Sequence, residues 1–204
     1  MIRLENFCVP TTTLTRRCYG GKCEKVQKYW SNYVASNVPF LKIFDDLVVH
    51  KILPLLKARV QAANSPLSEE GTCNQKLDFY YQRPPTIRIQ PGPAWSIVKH
   101  HRDSEYGHQD GEINYWIPLT SPELTNVDLF VESHPDAEDY HPMNVQLGEM
   151  GVFHGSSCRH YIPANGSNCT RISLDFRVGI GGYYDTEYLM VGSKDDHCRR
   201  TVRL

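Results

Sequence analysis

Residues 170–178 read TRISLDFRV, and their parity decides how the chain folds. Arg171, Ser173, Asp175 and Arg177 fall on one parity, and Ile172, Leu174, Phe176 and Val178 on the other. Successive side chains of a strand point to opposite faces, so the stretch predicts a strand with one apolar and one charged face. Two readings of the charged face follow. It meets water, or Arg171 and Ser173 enter a pocket and bind a carboxylate, which the planar fork of arginine suits.

Working outward, short alternating runs bounded by Gly, Pro and Asn begin after Pro85. They predict strands at Thr86–Gln90, Trp95–His101, Ile113–Leu119, Val127–Glu132, Met143–Val145 and Gly151–His154, besides Thr170–Val178. Strands this short and frequent suggest a sandwich or barrel. Upstream, the period is helical. Val26, Tyr29, Trp30, Tyr33 and Val34 recur at three- and four-residue steps. Asn37-Val-Pro breaks that helix. A second begins near Phe40, with Ile43, Phe44, Leu47, Val48 and Ile52 on its stripe, and Pro54 is expected to kink or end it. The fold class is therefore mainly β with N-terminal helices. A single domain is expected over 1–204: a mostly helical part at 1–80, a β core at 84–180 and a C-terminal tail at 181–204. Residues 1–24 read as irregular and 64–78 as a loop.

The chain has 204 residues and a net charge of −1, with 40% apolar and 22% charged residues. That is a globular composition with no basic surplus for nucleic acid or an anionic membrane. No apolar run approaches the roughly 20 residues that span a bilayer. The first 18 residues lack the apolar core of a secretory signal, although their Thr and Arg content is compatible with a transit peptide. The seven cysteines are irregularly spaced without C-x-x-C, which reads as reduced thiols in an intracellular, cytoplasmic protein. The sequons at Asn165 and Asn168 are then read as chance.

The densest chemistry lies in HRDSEYGHQDGEINYWIPLT, residues 101–120. In an extended segment His101 and Asp103 project together, an imidazole and a carboxylate for one divalent ion, and Arg102 points away. His100 has the wrong parity. His160 is the best third ligand, with His154 as the alternative. Two histidines and a carboxylate form a facial triad with open positions, the arrangement of non-haem Fe(II) oxygenases. The HRD triplet also occurs in protein kinases, but no Gly-rich loop, strand Lys or D-F-G accompanies it. His108 and Asp110 sit on the loop before the next strand. His108 reads as a substrate contact or a solvated loop residue. Arg88, isolated between apolar neighbours, reads as a snorkelling side chain or a site for an acidic substrate.

His101-x-Asp103, a distal His160, and Arg171-x-Ser173 after ten intervening residues together resemble the Fe(II)/2-oxoglutarate-dependent dioxygenases. The fuller strings 101–120 and 170–178 resemble the StrG-like branch and, more distantly, the phytanoyl-CoA hydroxylase group. The likeness spans about residues 86–180. It implies a double-stranded β-helix (a jelly-roll, cupin-like core) in which His101, Asp103 and His160 hold Fe(II). It further implies that 2-oxoglutarate chelates the iron, its far carboxylate meeting Arg171 and Ser173. O2 is consumed, and succinate and carbon dioxide are released as a small polar metabolite or amino acid is hydroxylated. Trp116 matches a residue that walls the cosubstrate pocket in the phytanoyl-like group, and Asn114, on the same face, is a candidate donor to the cosubstrate. A halogenating branch lacks the carboxylate ligand, so Asp103 argues against halogenation. Two rivals stand beside this reading. One is a cupin-type metalloenzyme that does not use 2-oxoglutarate, although such sites often show H-x-H. The other is a cupin-like binding module without catalysis.

Overall fold

The computed structural model describes residues 24–64, 76–93, 98–188 and 199–204. The expected irregular N-terminus, most of the 64–78 loop, the start of the Trp95–His101 strand and five cysteines (Cys8, Cys18, Cys23, Cys73, Cys198) lie outside these residues. The other two, Cys158 and Cys169, are half-buried. Among the described residues, no helix is long and apolar enough to cross a membrane.

The helical layer comprises α1 (Glu24–Ser36), α2 (Val38–Leu47), a π-helical turn (Val48–Ile52) and α3 (Leu53–Asn64). Asn37 separates the first two by capping α2, its Oδ1 accepting the Phe40 N–H at 2.9 Å. Of the two outcomes expected at Pro54, a kink or an end, the helix does not end there. The chain widens to a π turn, with Leu53 N–H donating to the Val48 carbonyl. Proline offers no N–H and crowds the carbonyl four residues back, and the wider turn relieves both conflicts. The α1 stripe is also narrower than its pattern predicts. Val34 is buried, whereas Tyr29, Trp30 and Tyr33 lie at the surface in edge-to-face contact.

Ten strands follow among the described residues: β1 (Asp78–Gln82), β2 (Thr86–Gln90), β3 (Val98–His101), β4 (Glu112–Pro118), β5 (Phe130–Val131), β6 (His141–Pro142), β7 (Gly151–Phe153), β8 (His160–Ile162), β9 (Arg171–Ile180) and β10 (Arg199–Arg203). A short helix, α4 (Pro122–Thr125), lies between β4 and β5. The strands make a six-stranded sheet ordered β10-β1-β9-β4-β7, with β2 also on β9, and a four-stranded sheet ordered β3-β8-β5-β6. All pairs are antiparallel. Strand β9 organises the larger sheet. β4 runs along one side of it, while β2 pairs with its first half and β1 with its last residues on the other.

Three expectations change here. Asp78–Gln82, assigned to loop and helical segments, is a strand. The supposed tail contributes β10, which pairs with β1 from Asp78↔Arg203 to Gln82↔Arg199. Met143–Val145 forms no strand, and His141–Pro142 pairs with β5 instead.

The helices cover one face of the larger sheet. Phe44, Val48, Ile52, Leu53 and Leu56 pack on Phe79, Tyr81, Tyr115, Phe176 and Val178. Phe44 meets Phe176 edge-on at 5.0 Å, and Tyr115 stacks on Phe176 at 5.2 Å. Each such side chain contributes about 1.5–3 kcal/mol on burial. Polar contacts fix the layer in place. The Tyr81 hydroxyl donates to Asp45 at 2.7 Å. Gln27 bonds Ile87 O and Ile89 N–H, covering the free edge of β2. With the apolar parity of β4 and β9 committed to the helices, their polar parity is left for the other face.

Candidate metal and anion site

β3 ends on His101. Arg102 stays extended, and Asp103 then opens a short 3-10 turn to Tyr106. The extended Arg102 is why the parity argument holds although the strand has already stopped. Arg102 itself turns outward to Asp136. The Asp103 N–H donates to Gly155 O at 2.8 Å, which ties the turn to the loop after β7. On the neighbouring strand, His160 is the register partner of His101.

The two imidazoles stand 4.3 Å apart between centroids. Asp103 Oδ1 lies 3.5 Å from His101 Nε2 and 3.6 Å from His160 Nε2. One ligand atom from each of the three residues falls within 4.8 Å of the others, so the trio can hold a metal ion. Each Nδ1 faces a backbone carbonyl: Lys99 O at 2.6 Å for His101, and Cys158 O at 3.1 Å for His160. Donation from Nδ1–H leaves the Nε2 lone pairs pointing at the shared centre. Burial pushes the His160 imidazole down to about 4 against the opposing pull of Asp103, so it is neutral and able to ligate near pH 7. Burial alone would raise the Asp103 carboxyl. Arg177, His101, His160 and Asn114 outweigh that and hold it well below the usual range. Two imidazoles with one carboxylate suit a divalent first-row metal.

The remaining Asp103 oxygen is occupied by protein. Oδ2 accepts from Asn114 Nδ2 at 2.6 Å and from Arg177 Nε at 2.9 Å and Nη2 at 2.8 Å. Arg177 also donates to Gln82 Oε1 at 3.3 Å. Asn114, a candidate donor to the cosubstrate from the sequence, rests its amide on the ligand Asp103. Arg177 received no role from the sequence. Its signal was its parity with Arg171 and the register that sets it opposite Asn114.

Most of the charged face of β9 is kept from water: Arg171, Ser173 and Arg177 are buried, and Asp175 is half-buried. Arg171 Nη2 donates to Ser173 Oγ at 3.1 Å, but its Nε and Nη1 are buried without a hydrogen-bond partner among the described residues. Burial lowers the guanidinium to about 10, still charged at neutral pH. Trp116 is buried beside it, its ring centroid 5.5 Å from Arg171 Cζ, a cation–π contact. A buried cation with two such donor nitrogens is chemically complementary to a carboxylate.

Other expected site residues are engaged elsewhere. His108 is buried rather than exposed at a mouth, its Nδ1 2.8 Å from the buried Glu112 carboxylate. The i to i+4 pairing takes both groups out of solvent together. Arg88 pairs with Asp175 at 3.0 Å across β2 and β9, so its charge is matched within the sheet. His154 has Ser157 Oγ and Asp110 O at its two ring nitrogens, which removes it as the alternative ligand. His100 stacks on Tyr161.

No family model matches the sequence. Over 99 residues the chain is 35% identical to the streptomycin biosynthesis protein StrG of Streptomyces griseus, covering 48% of this chain and 46% of that protein. It thus spans about half the length of the curated relative it matches. Among solved structures it is similar to the nickel complex of the non-heme monooxygenase ThoJ, at TM-score 0.41 and 17% identity over 58% of this chain and 53% of that one. It is similarly close to the apo form of ThoJ, at TM-score 0.42 and 16% identity over 58% and 55%. At such scores the structural likeness is loose.

Proposed function

We propose that this chain is an Fe(II)- and 2-oxoglutarate-dependent oxygenase acting on a small polar metabolite or amino acid, with a double-stranded β-helix as its core. The observation that carries this reading is the Arg171 guanidinium, buried with two nitrogens that have no hydrogen-bond partner among the described residues, on the strand whose Arg177 bonds Asp103 of the His101, Asp103 and His160 trio. A metal trio alone suits many enzymes. A metal trio with a buried carboxylate receptor suits one whose cosubstrate chelates metal at one end and carries a carboxylate at the other. Similarity to StrG over half the chain supports the same class.

In this reading His101 Nε2, Asp103 Oδ1 and His160 Nε2 hold the ion. Arg171 and Ser173 receive the distal carboxylate, and Trp116 closes the pocket beside the guanidinium. Bound iron supplies O2 activation coupled to decarboxylation of 2-oxoglutarate, one oxygen atom entering succinate and the other the substrate. The chain's own contribution is a dry wall, imidazoles oriented by the backbone carbonyls at their Nδ1 atoms, and a carboxylate held ionised. Succinate release should require Fe(II), 2-oxoglutarate and O2 together, and should rise when the right small polar compound is added. Failure to form Fe(II)-dependent succinate across a broad panel of amino acids and metabolites would contradict the proposal.

A further inference from the structure

Three residues outside the ligand trio converge on Asp103. Asn114 Nδ2 and two nitrogens of Arg177 all donate to Oδ2, while Oδ1 alone faces the imidazoles. Asn114 is itself held, because its Oδ1 accepts the Gly155 N–H at 3.2 Å. Gly155 closes the loop by accepting the Asp103 N–H on its carbonyl. There is no room for a side chain at residue 155. A Cβ there would lie 2.5 Å from Asn114 Nδ2 and 2.8 Å from Asn114 Cγ. Gln82, from β1, fixes the far side of the Arg177 guanidinium.

We propose that Arg177, Asn114 and Gly155 form a clamp that reserves Asp103 for ligation through Oδ1 alone and keeps a second carboxylate oxygen off the ion. This rests on the metal-site reading above. A carboxylate can bind a cation through one oxygen or two, and a second oxygen would take a position that cosubstrate or O2 needs. Three charge-assisted or short hydrogen bonds on Oδ2 oppose that rotation. Arg177, Asn114 and Gly155 are positioning residues: they act through Asp103 and need touch no reactant. Arg171 and Arg177, six residues apart on one strand face, thus have separate tasks, the first receiving an anion and the second holding a ligand.

The test is Mn(II) binding by the full chain, followed by water-proton relaxivity with protein in excess over the metal. Relaxivity of the bound ion scales with the waters it keeps. Wild type should keep the three open positions of a facial triad as water. Arg177→Met and Asn114→Ala should weaken Mn(II) affinity by about 10- to 100-fold, as loss of outer-shell partners typically does. Bound relaxivity should fall by about a third in Arg177→Met as one of three open positions is lost. Arg177→Lys should recover affinity in part, because it restores charge but not the fork. Circular dichroism identifies any variant that does not fold. If Arg177→Met fails that check, Asn114→Ala and Gly155→Ala carry the test with the same expected direction. Unchanged affinity and relaxivity in folded variants would overturn the clamp and leave the metal reading intact. A wild-type chain that binds no divalent metal would remove both.

Discussion

The two faces of β9 are built from alternate residues of one segment, yet they do opposite things. Ile172, Leu174, Phe176 and Val178 face the helices and contribute to the apolar packing. Arg171, Ser173 and Arg177 are almost as deeply buried on the other side. Their burial costs desolvation, which is offset fully at Arg177 by Asp103 and Gln82 and only partly at Arg171 by Ser173. The apolar face contributes stability. The polar face draws on it to keep charges dry, fixed and, at Arg171, available to a ligand.

The largest effect that would sharpen this contrast is expected from Asp103→Asn. It should bring metal-dependent succinate formation down to background while the far-ultraviolet spectrum stays that of wild type. Asparagine keeps an acceptor for Arg177. Alanine would strand a buried guanidinium at about 3–5 kcal/mol, confusing loss of function with loss of fold. Turnover retained in Asp103→Asn would break the ligand assignment.

Phe176→Ala probes the opposite face. It removes a ring that touches both Phe44 and Tyr115, and should cost about 3–5 kcal/mol in denaturant unfolding. Mn(II) affinity of the folded fraction should stay close to wild type.

Metal-free stability should also depend on acidity. The unfolded His160 takes up a proton near 6.5, whereas the folded one does so only at about 4. The unfolded chain therefore binds more protons in that window, and stability should fall as pH drops from about 6.5 to 4, by roughly 3 kcal/mol. Asp103, held below the usual carboxylate range, adds a loss in the same direction at lower pH. Urea midpoints across pH 4 to 7 would check this. A His160→Gln variant with an equally steep pH dependence would assign it to other groups.

Arg171→Met separates the faces most finely. The 2-oxoglutarate concentration for half-maximal succinate formation should rise about 100-fold, near 3 kcal/mol of a charge-assisted contact. Without ligand, the variant should melt at or above the wild-type temperature, because a poorly matched buried charge has been removed. A melting point well below wild type would show Arg171 to be structural.

Much of this was legible in the sequence because long strands advertise themselves. β2, β4 and β9 run for five to ten residues, enough for alternation to show. The metal trio was legible from the spacing of His101 and Asp103, and Arg171 from its parity. The smaller sheet was legible only in part: the expected Trp95–His101 and Val127–Glu132 contain β3 and β5, but β6 was misplaced and β8 missed. β5 and β6 have two residues each and β8 has three, too few for a period to emerge. Its connecting loops turn through positive φ at Asn126, Asp136, Glu138 and Asn144, a path set by local turns rather than by hydrophobic pattern. β1 and β10 depend on a pairing between segments up to 125 residues apart, which no local window contains. The tasks of Arg177 and Gly155 emerge only when register brings them to Asp103 and Asn114. His108 looked exposed because its neighbours are polar, and Glu112 made its burial tolerable.

The most direct test is an anaerobic titration of the purified full chain with Fe(II) and 2-oxoglutarate, followed in the visible range. A weak charge-transfer band that grows only when both are present is the expected result, because it needs an ion on His101, Asp103 and His160 and a keto acid chelated to that ion. Iron binding with no response to 2-oxoglutarate, or no iron binding at all, would contradict the account.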